Sequence, residues 1–123
     1  MDIQDKVNRA WALKKEGRLF DALNVYNEIF DILCHEAGEY ARSKKGSTVD
    51  EEDARKINPR FFALSKVYLK RDNVACVTLN NMGVILAEMG YYDKAKNKFK
   101  ESIELIPDGI DYPNPKIGLE SLE

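Results

Sequence analysis

The chain has few of the side chains from which catalytic and metal sites are usually built. Its 123 residues include one histidine, His35, and two cysteines, Cys34 and Cys76, with no Cys-x-x-Cys pair. These are too few ligands for a zinc site. A Cys34–His35 catalytic pair would need alignment in space and an orienting group, whereas neighbouring residues on a helix point about 100° apart. We therefore expect no enzyme activity, metal or cofactor, and we expect both thiols to be reduced and buried.

The chain also lacks a long apolar run and an excess of either charge. The uncharged stretch from Val74 to Ala87 contains Asn80, Asn81 and Gly83, and it is shorter than the roughly 20 apolar residues that span a bilayer. No basic start is followed by an apolar stretch, so no secretory signal is expected. With 19 basic and 21 acidic residues, the net charge of −2 gives no general attraction to nucleic acid or to anionic membranes. We expect a cytoplasmic protein that contacts neither.

Basic residues are concentrated in one segment, residues 55–71, where aromatic residues lie among them. The basic members are Arg55, Lys56, Arg60, Lys66, Lys70 and Arg71, and the aromatic members are Phe61, Phe62 and Tyr68. A basic stretch with interleaved aromatics is a feature of some nucleic-acid sites. We expect this one to form a basic surface for an acidic peptide instead.

Apolar residues recur at intervals of three and four along almost the whole chain, which predicts helices and no strands. The predicted helices span residues 3–16, 19–42, 49–57, 59 to a break at 71–73, 74–89, 92–106 and 115–122. Gly17 and Gly90 are expected to make tight turns, because glycine tolerates positive φ. A capping box from Thr48 to Glu51 starts the third helix, and Pro59 starts the fourth.

Two parts of the chain match each other at a constant separation of 73 residues. Ala10, Gly17, Ala22 and Tyr26 correspond in this way to Gly83, Gly90, Ala95 and Phe99. Each position has a mechanical role in a helical hairpin: the small residues let two helices approach closely, the glycine makes the turn, and the aromatic ring fills the space above the small residues. One offset shared by four positions indicates two copies of the same helix pair.

The second copy resembles the tetratricopeptide repeat. It reads Leu79-x-x-Met82-Gly83-x-x-Leu86, then Ala95-x-x-x-Phe99 and Pro107, at the spacings of that repeat. The resemblance covers residues 76–109 well. It covers residues 3–36 more loosely, because Lys6 and Arg9 stand where large apolar residues are usual and Cys34 replaces the closing proline. The resemblance implies one all-α domain over residues 1–123, a tetratricopeptide-like solenoid of antiparallel helix pairs. A short capping helix in residues 110–123 is expected to cover an exposed end of the core with Ile117 and Leu122.

Residues 37–75 are an insert between the two copies. The 73-residue offset exceeds one repeat of about 34 residues by 39. Without a closing proline, the second helix is expected to run on past the normal end of a repeat. We expect the insert to hold this extended helix and a degenerate helical pair that packs between the two hairpins. The alternative is an excursion that leaves the solenoid.

In this family the first helices of successive hairpins line a concave groove. The positions carried over are Gln4, Val7, Asn8, Trp11, Lys15, Val77, Asn80, Asn81, Val84 and Glu88. The amides of Asn8 and Asn81 can hold an extended peptide backbone, although local capping or solvent exposure would explain them equally. Trp11 is either a binding anchor or a core residue.

One type of ligand is disfavoured by the same resemblance. Repeats that hold the carboxyl-terminal tails of heat-shock chaperones use a Lys one turn before an Asn on the first groove helix. This chain has Val7 and Trp11 at those two places. We therefore expect a more apolar ligand.

The sequence predicts a non-catalytic adaptor that binds a peptide or helix of another protein in this groove. The alternative is a structural module that self-associates, and a homodimer stays open, because about three repeats are needed for a stable core and only two are clear here. An enzyme would require titratable groups clustered in a cleft, and the sequence gives no sign of them.

Overall fold

The computed structural model describes residues 2–45 and 59–123, and its regular structure there is helical. The helices are α1 (Ile3–Lys15), α2 (Leu19–Lys45), α3 (Pro59–Leu69), α4 (Val74–Glu88), α5 (Tyr92–Glu104) and α6 (Asn114–Ser121). The described part of the chain contains no strand, so the predicted all-α class is confirmed. The helix predicted at 49–57 and its capping box lie outside the described residues.

Helices α1 and α2 form one hairpin, and α4 and α5 form another. Each turn contains a glycine in the left-handed region, Gly17 with φ 80° and Gly90 with φ 86°. A side chain at either position would be strained, because L-residues avoid this region. Both predicted turns are therefore confirmed. The start of α3 at Pro59 and the break between Leu69 and Val74 are confirmed as well.

Helix α2 is the longest element, with 27 residues, and it ends three residues beyond the predicted Arg42. One buried stripe runs along it at helical spacing. The stripe consists of Ala22, Val25, Tyr26, Ile29, Leu33, Ala37 and Ala41. The first half of α2 packs against α1, and the second half packs against α3. The absence of a proline near Cys34 allows this continuation, as the sequence predicted.

The two hairpins contact each other directly. Ile29 and Leu33 of α2 share one core cluster with Cys76 and Leu79 of α4. The expectation that a degenerate helical pair separates the hairpins is therefore wrong. Helix α3 instead lies along the extension of α2, where the ring of Tyr68 is 5.4 Å from that of Tyr40. Within the described residues, the insert contributes the extension of α2 and the helix α3 that packs on it.

Helix α4 lies at the centre of the fold. Its buried residues cover most of its circumference, since α2, α5 and α6 all pack against it. Such an all-round apolar helix is typical of a buried element.

Helix α6 closes the far side of the second hairpin. Pro115 is buried, and Leu119 and Leu122 pack against the cluster that contains Phe99. The predicted capping role of Leu122 is confirmed, whereas Ile117 is 61% exposed and the prediction for it is wrong. Residues 115, 119 and 122 share one helical face, and Ile117 lies on the opposite one.

Candidate functional site

A cleft of about 140 Å³ lies between α1 and α4. Four of the ten predicted groove residues line it: Gln4 and Val7 from α1, and Val77 and Asn81 from α4. Each pair is separated by three or four residues, so both members lie on one face of their helix. The structure therefore brings together side chains that are at least 70 residues apart in the sequence.

The cleft has apolar walls and polar ends. Val7 and Val77 are half-buried and pack against the core, while Gln4 is exposed. The hydroxyl of Tyr26 also lines the cleft and accepts a hydrogen bond from Nδ2 of Asn81 at 3.4 Å. Burial raises the pKa of Tyr26, and this hydrogen bond partly offsets the rise. Tyr26 therefore stays a neutral phenol at the floor of the cleft at physiological pH.

A second group of predicted residues lies on the exposed rim of α1. Trp11 is 58% exposed, so its interpretation as a core residue is wrong. The ammonium group of Lys15 lies 4.5 Å from the centroid of the Trp11 ring, which is a cation–π contact. Asn8 accepts a hydrogen bond of 3.0 Å from Nε2 of Gln4, so its amide is partnered within its own helix.

The remaining predicted residues, Glu88, Asn80 and Val84, lie outside the α1–α4 cleft. The carboxylate of Glu88 is 4.0 Å from the ammonium group of Lys14 on α1, which ties the two helices together. Asn80 is only 5% exposed and lies beside Tyr112, whose pKa is raised by burial. Val84 packs against the cluster that contains Phe99. Asn80 is adjacent to Asn81 in sequence, and the helical twist turns it towards a different neighbour.

Sequence reasoning missed four residues that line the cleft. They are Tyr26, Asn73, Val74 and Thr78. Tyr26 could have been found from the sequence, because it corresponds to Phe99 across the 73-residue offset but has an additional hydroxyl group. A buried hydroxyl needs a partner, and Asn81 provides it.

The two cysteines lie in different surroundings. Both are free thiols, but Cys34 is exposed and Cys76 is buried, so the expectation of two buried thiols is wrong for Cys34. His35 lies 3.1 Å from the carboxylate of Glu39. Within residues 2–45 and 59–123, no three His, Cys, Asp or Glu side chains are grouped as they would be to hold a metal ion.

The predicted basic surface is partly neutralised. Lys70 pairs with Asp108 at 3.1 Å, and Arg71 lies 3.8 Å from Glu36. Arg55 and Lys56 fall outside the described residues, as does the side chain of Arg60. Among the helices that the structure describes, none combines the length and the apolar character needed to cross a membrane.

Comparison with known protein families identifies the second hairpin. A family model described as tetratricopeptide repeat matches residues 76–108, which covers α4 from its third residue, α5 and the turn after them. No curated protein and no solved structure matched the chain. The match agrees with the all-α architecture and with the small residues, Gly83 and Ala95, that let α4 and α5 pack closely. Residues 76–108 thus match a tetratricopeptide repeat, which is consistent with a protein of the tetratricopeptide repeat family.

Proposed function

We propose that this protein is a non-catalytic adaptor that binds a peptide or helix of a partner protein along the α1–α4 cleft. Tetratricopeptide repeats generally mediate protein–protein interaction and are typically non-catalytic. The cytoplasm stays the expected compartment, because two free cysteines suit a reducing environment. The division of the remaining chain into a divergent repeat at 3–36, an insert at 37–75 and a cap at 110–123 stays a prediction.

The observation that carries this proposal is the position of Trp11. A Trp side chain that is 58% exposed on the same helix face as Gln4 and Lys15 offers a large apolar surface to a ligand. Aromatic residues at such positions frequently dominate binding energy in protein interfaces. The contact with Lys15 restrains the ring, which lowers the entropy lost when a partner packs on it.

The cleft beside Trp11 supplies the second element of recognition. Val7 and Val77 offer an apolar wall, and Gln4 and Asn81 offer amide groups that can donate and accept hydrogen bonds. A ligand would place an apolar side chain between the valines and its backbone along the amides. Because Asn80 and Val84 pack elsewhere, we assign the groove to Gln4, Val7, Asn8, Trp11, Lys15, Val77 and Asn81.

The proposal is tested with peptides selected from a random displayed library against the folded protein. Affinities of the enriched peptides are then measured by fluorescence anisotropy for the wild type, for Trp11→Ala and for the control Tyr92→Ala. Tyr92 is 56% exposed, so the two variants delete aromatic rings of similar exposure. We expect Trp11→Ala to weaken binding by about 2 kcal/mol or more, as at a hot spot, and Tyr92→Ala to have no effect. Equal affinities for all three proteins would contradict the proposal.

Self-association is the alternative, and one observation favours it. Ile110, which precedes α6, is 52% exposed, and Ile117, within α6, is 61% exposed. Exposed branched apolar side chains are common in subunit contacts. Sedimentation velocity across a concentration series separates the two functions. A dimer at micromolar concentration that Trp11→Ala dissociates would place the α1–α4 cleft in the self-contact and rule out the adaptor. A monomer throughout would rule out self-association.

A further inference from the structure

A second cleft lies between the extension of α2 and α3, away from the α1–α4 cleft, with which it shares no lining residue. Its volume is about 350 Å³, which falls within the range of small-molecule sites. The walls are apolar: Ala37, Phe61, Phe62 and Leu69 line it. Gly38 leaves open the space facing Phe61, where an added Cβ would still be 3.8 Å from Cζ of the ring. The insert therefore creates a cavity that the two hairpins alone would not have.

Two polar groups of this cleft have no partner among the residues that the structure describes. The hydroxyl oxygen of Ser65 is buried and makes no hydrogen bond within the described part of the chain, which leaves an unmet hydrogen-bonding requirement. Arg42 is exposed at the cleft and has no ion pair with any residue that the structure describes. His35 also lines the cleft, and its Nε2 lies 3.1 Å from the carboxylate of Glu39. The cleft therefore offers one unneutralised positive charge beside an apolar interior.

The charge and the apolar interior are aligned along α2. Cys34, Gly38 and Arg42 are each four residues apart, so they lie on one face of the helix. The rise of an α-helix places Arg42 about 6 Å along the axis from Gly38. A ligand whose apolar chain fills the space at Gly38 could therefore place an anionic group on Arg42, about 6 Å further along the helix.

We propose that this cleft binds a small monocarboxylic acid, with its apolar part between Gly38 and the two phenylalanine rings and its carboxylate on Arg42. A carboxylate suits guanidinium because both are planar and can form paired hydrogen bonds. The cavity is too small for a partner helix, which is about 10 Å wide with its side chains. The site is independent of the proposed adaptor function.

The test uses decanoate as the probe and decanol as its uncharged counterpart, both below their aggregation limits. Binding is followed by the amide NMR signals of Gly38 and Ser65, with Val77 of the other cleft as the internal reference. Cys34 provides a second readout, because it is exposed and lines the cleft while Cys76 is buried. We expect decanoate to shift Gly38 and Ser65, to leave Val77 unchanged and to slow the alkylation of Cys34.

Three variants separate specific binding from general adhesion to an apolar surface. Arg42→Gln removes the charge at an exposed position, and we expect it to weaken decanoate about three- to fivefold, as for one exposed ion pair, without affecting decanol. Arg9→Gln on α1 is the matched control, since Arg9 is also exposed, and it should leave both affinities unchanged. Gly38→Leu fills the cavity and should abolish binding of both probes.

Three results would overturn the inference. The first is the absence of any shift at Gly38 and Ser65 at saturating decanoate. The second is equal affinity for decanoate and decanol in the wild type, which would mean that Arg42 contributes nothing. The third is a loss of decanoate affinity in Arg9→Gln as large as that in Arg42→Gln, which would indicate non-specific electrostatic attraction. None of these results would affect the adaptor proposal, because the peptides tested there bind a different cleft.

Discussion

A Cβ atom on Gly83 would lie 2.7 Å from Cε1 of Phe99, closer than two carbon atoms pack in a protein. The ring of Phe99 lies directly on the backbone of α4, and the ring itself is 2% exposed. This contact sets the separation of α4 and α5. Since the ring is enclosed, it has no free space into which it could rotate away from an added methyl group.

Gly83→Ala should therefore destabilise the protein by about 1–3 kcal/mol, as other overpacked cores do. The measurement is urea unfolding followed by circular dichroism. Gly38→Ala is the matched control, because it is also a helical glycine but its added Cβ would make an ordinary 3.8 Å contact. For Gly38→Ala we expect either an unchanged free energy of unfolding or an increase of up to about 1 kcal/mol from helix propensity. Equal effects of the two substitutions would contradict the role of the Phe99 contact.

Helix α6 packs against the same ring, and this contact gives a second prediction. A Cβ on Gly118 would lie 2.6 Å from Cζ of Phe99. Because α6 is only eight residues long, Gly118→Ala should release this helix and leave the hairpins intact. Local openings of this kind are visible in hydrogen exchange. We expect faster exchange at Leu119 and unchanged exchange at Leu79, whereas Gly83→Ala should accelerate both. Acceleration at Leu79 in Gly118→Ala would show that α6 is part of the global folding unit.

The sequence predicts the second hairpin well because its determinants are local. Gly90 demands positive φ, and Gly83, Ala95 and Phe99 are separated by short distances along the chain. The stacking of the hairpins was not predictable in this way, since it depends on where α2 ends and how α3 returns. The groove positions show the same limit: Asn81 reaches the cleft, but Asn80 packs on Tyr112, a residue whose position follows from the turn after α5.

Alkaline pH should destabilise the protein through its buried tyrosines. Burial raises the pKa of both Tyr26 and Tyr112, so each holds its proton to higher pH in the folded chain than in the unfolded one. The contribution of these tyrosines to the free energy of unfolding is complete below the pKa of the unfolded state, about 10. It is lost as pH rises through the pKa of the folded state. The melting temperature should therefore fall above pH of about 10, and less steeply in Tyr26→Phe. Tyr92→Phe, which changes an exposed ring, should follow the wild type. A Tyr26→Phe curve that coincides with the wild type would contradict this origin.

Tyr68 holds α3 on α2 through a polar contact with Glu36. The hydroxyl of Tyr68 donates a hydrogen bond of 2.8 Å to Oε2 of Glu36, and the guanidinium of Arg71 stacks on the Tyr68 ring at 3.9 Å. Tyr68→Phe removes the hydrogen bond and preserves the ring, so we expect a loss of about 1 kcal/mol at this half-exposed site.

Tyr40→Phe is the matched control for this change. It alters the neighbouring ring, 5.4 Å away, and leaves the bond between Tyr68 and Glu36 intact. Hydrogen exchange at Leu69 should accelerate in Tyr68→Phe alone. Because α3 forms one wall of the cleft at Gly38, Tyr68→Phe should also weaken decanoate and decanol to the same extent, in contrast to Arg42→Gln, which should weaken only the acid. Unchanged exchange at Leu69 would mean that apolar packing alone positions α3.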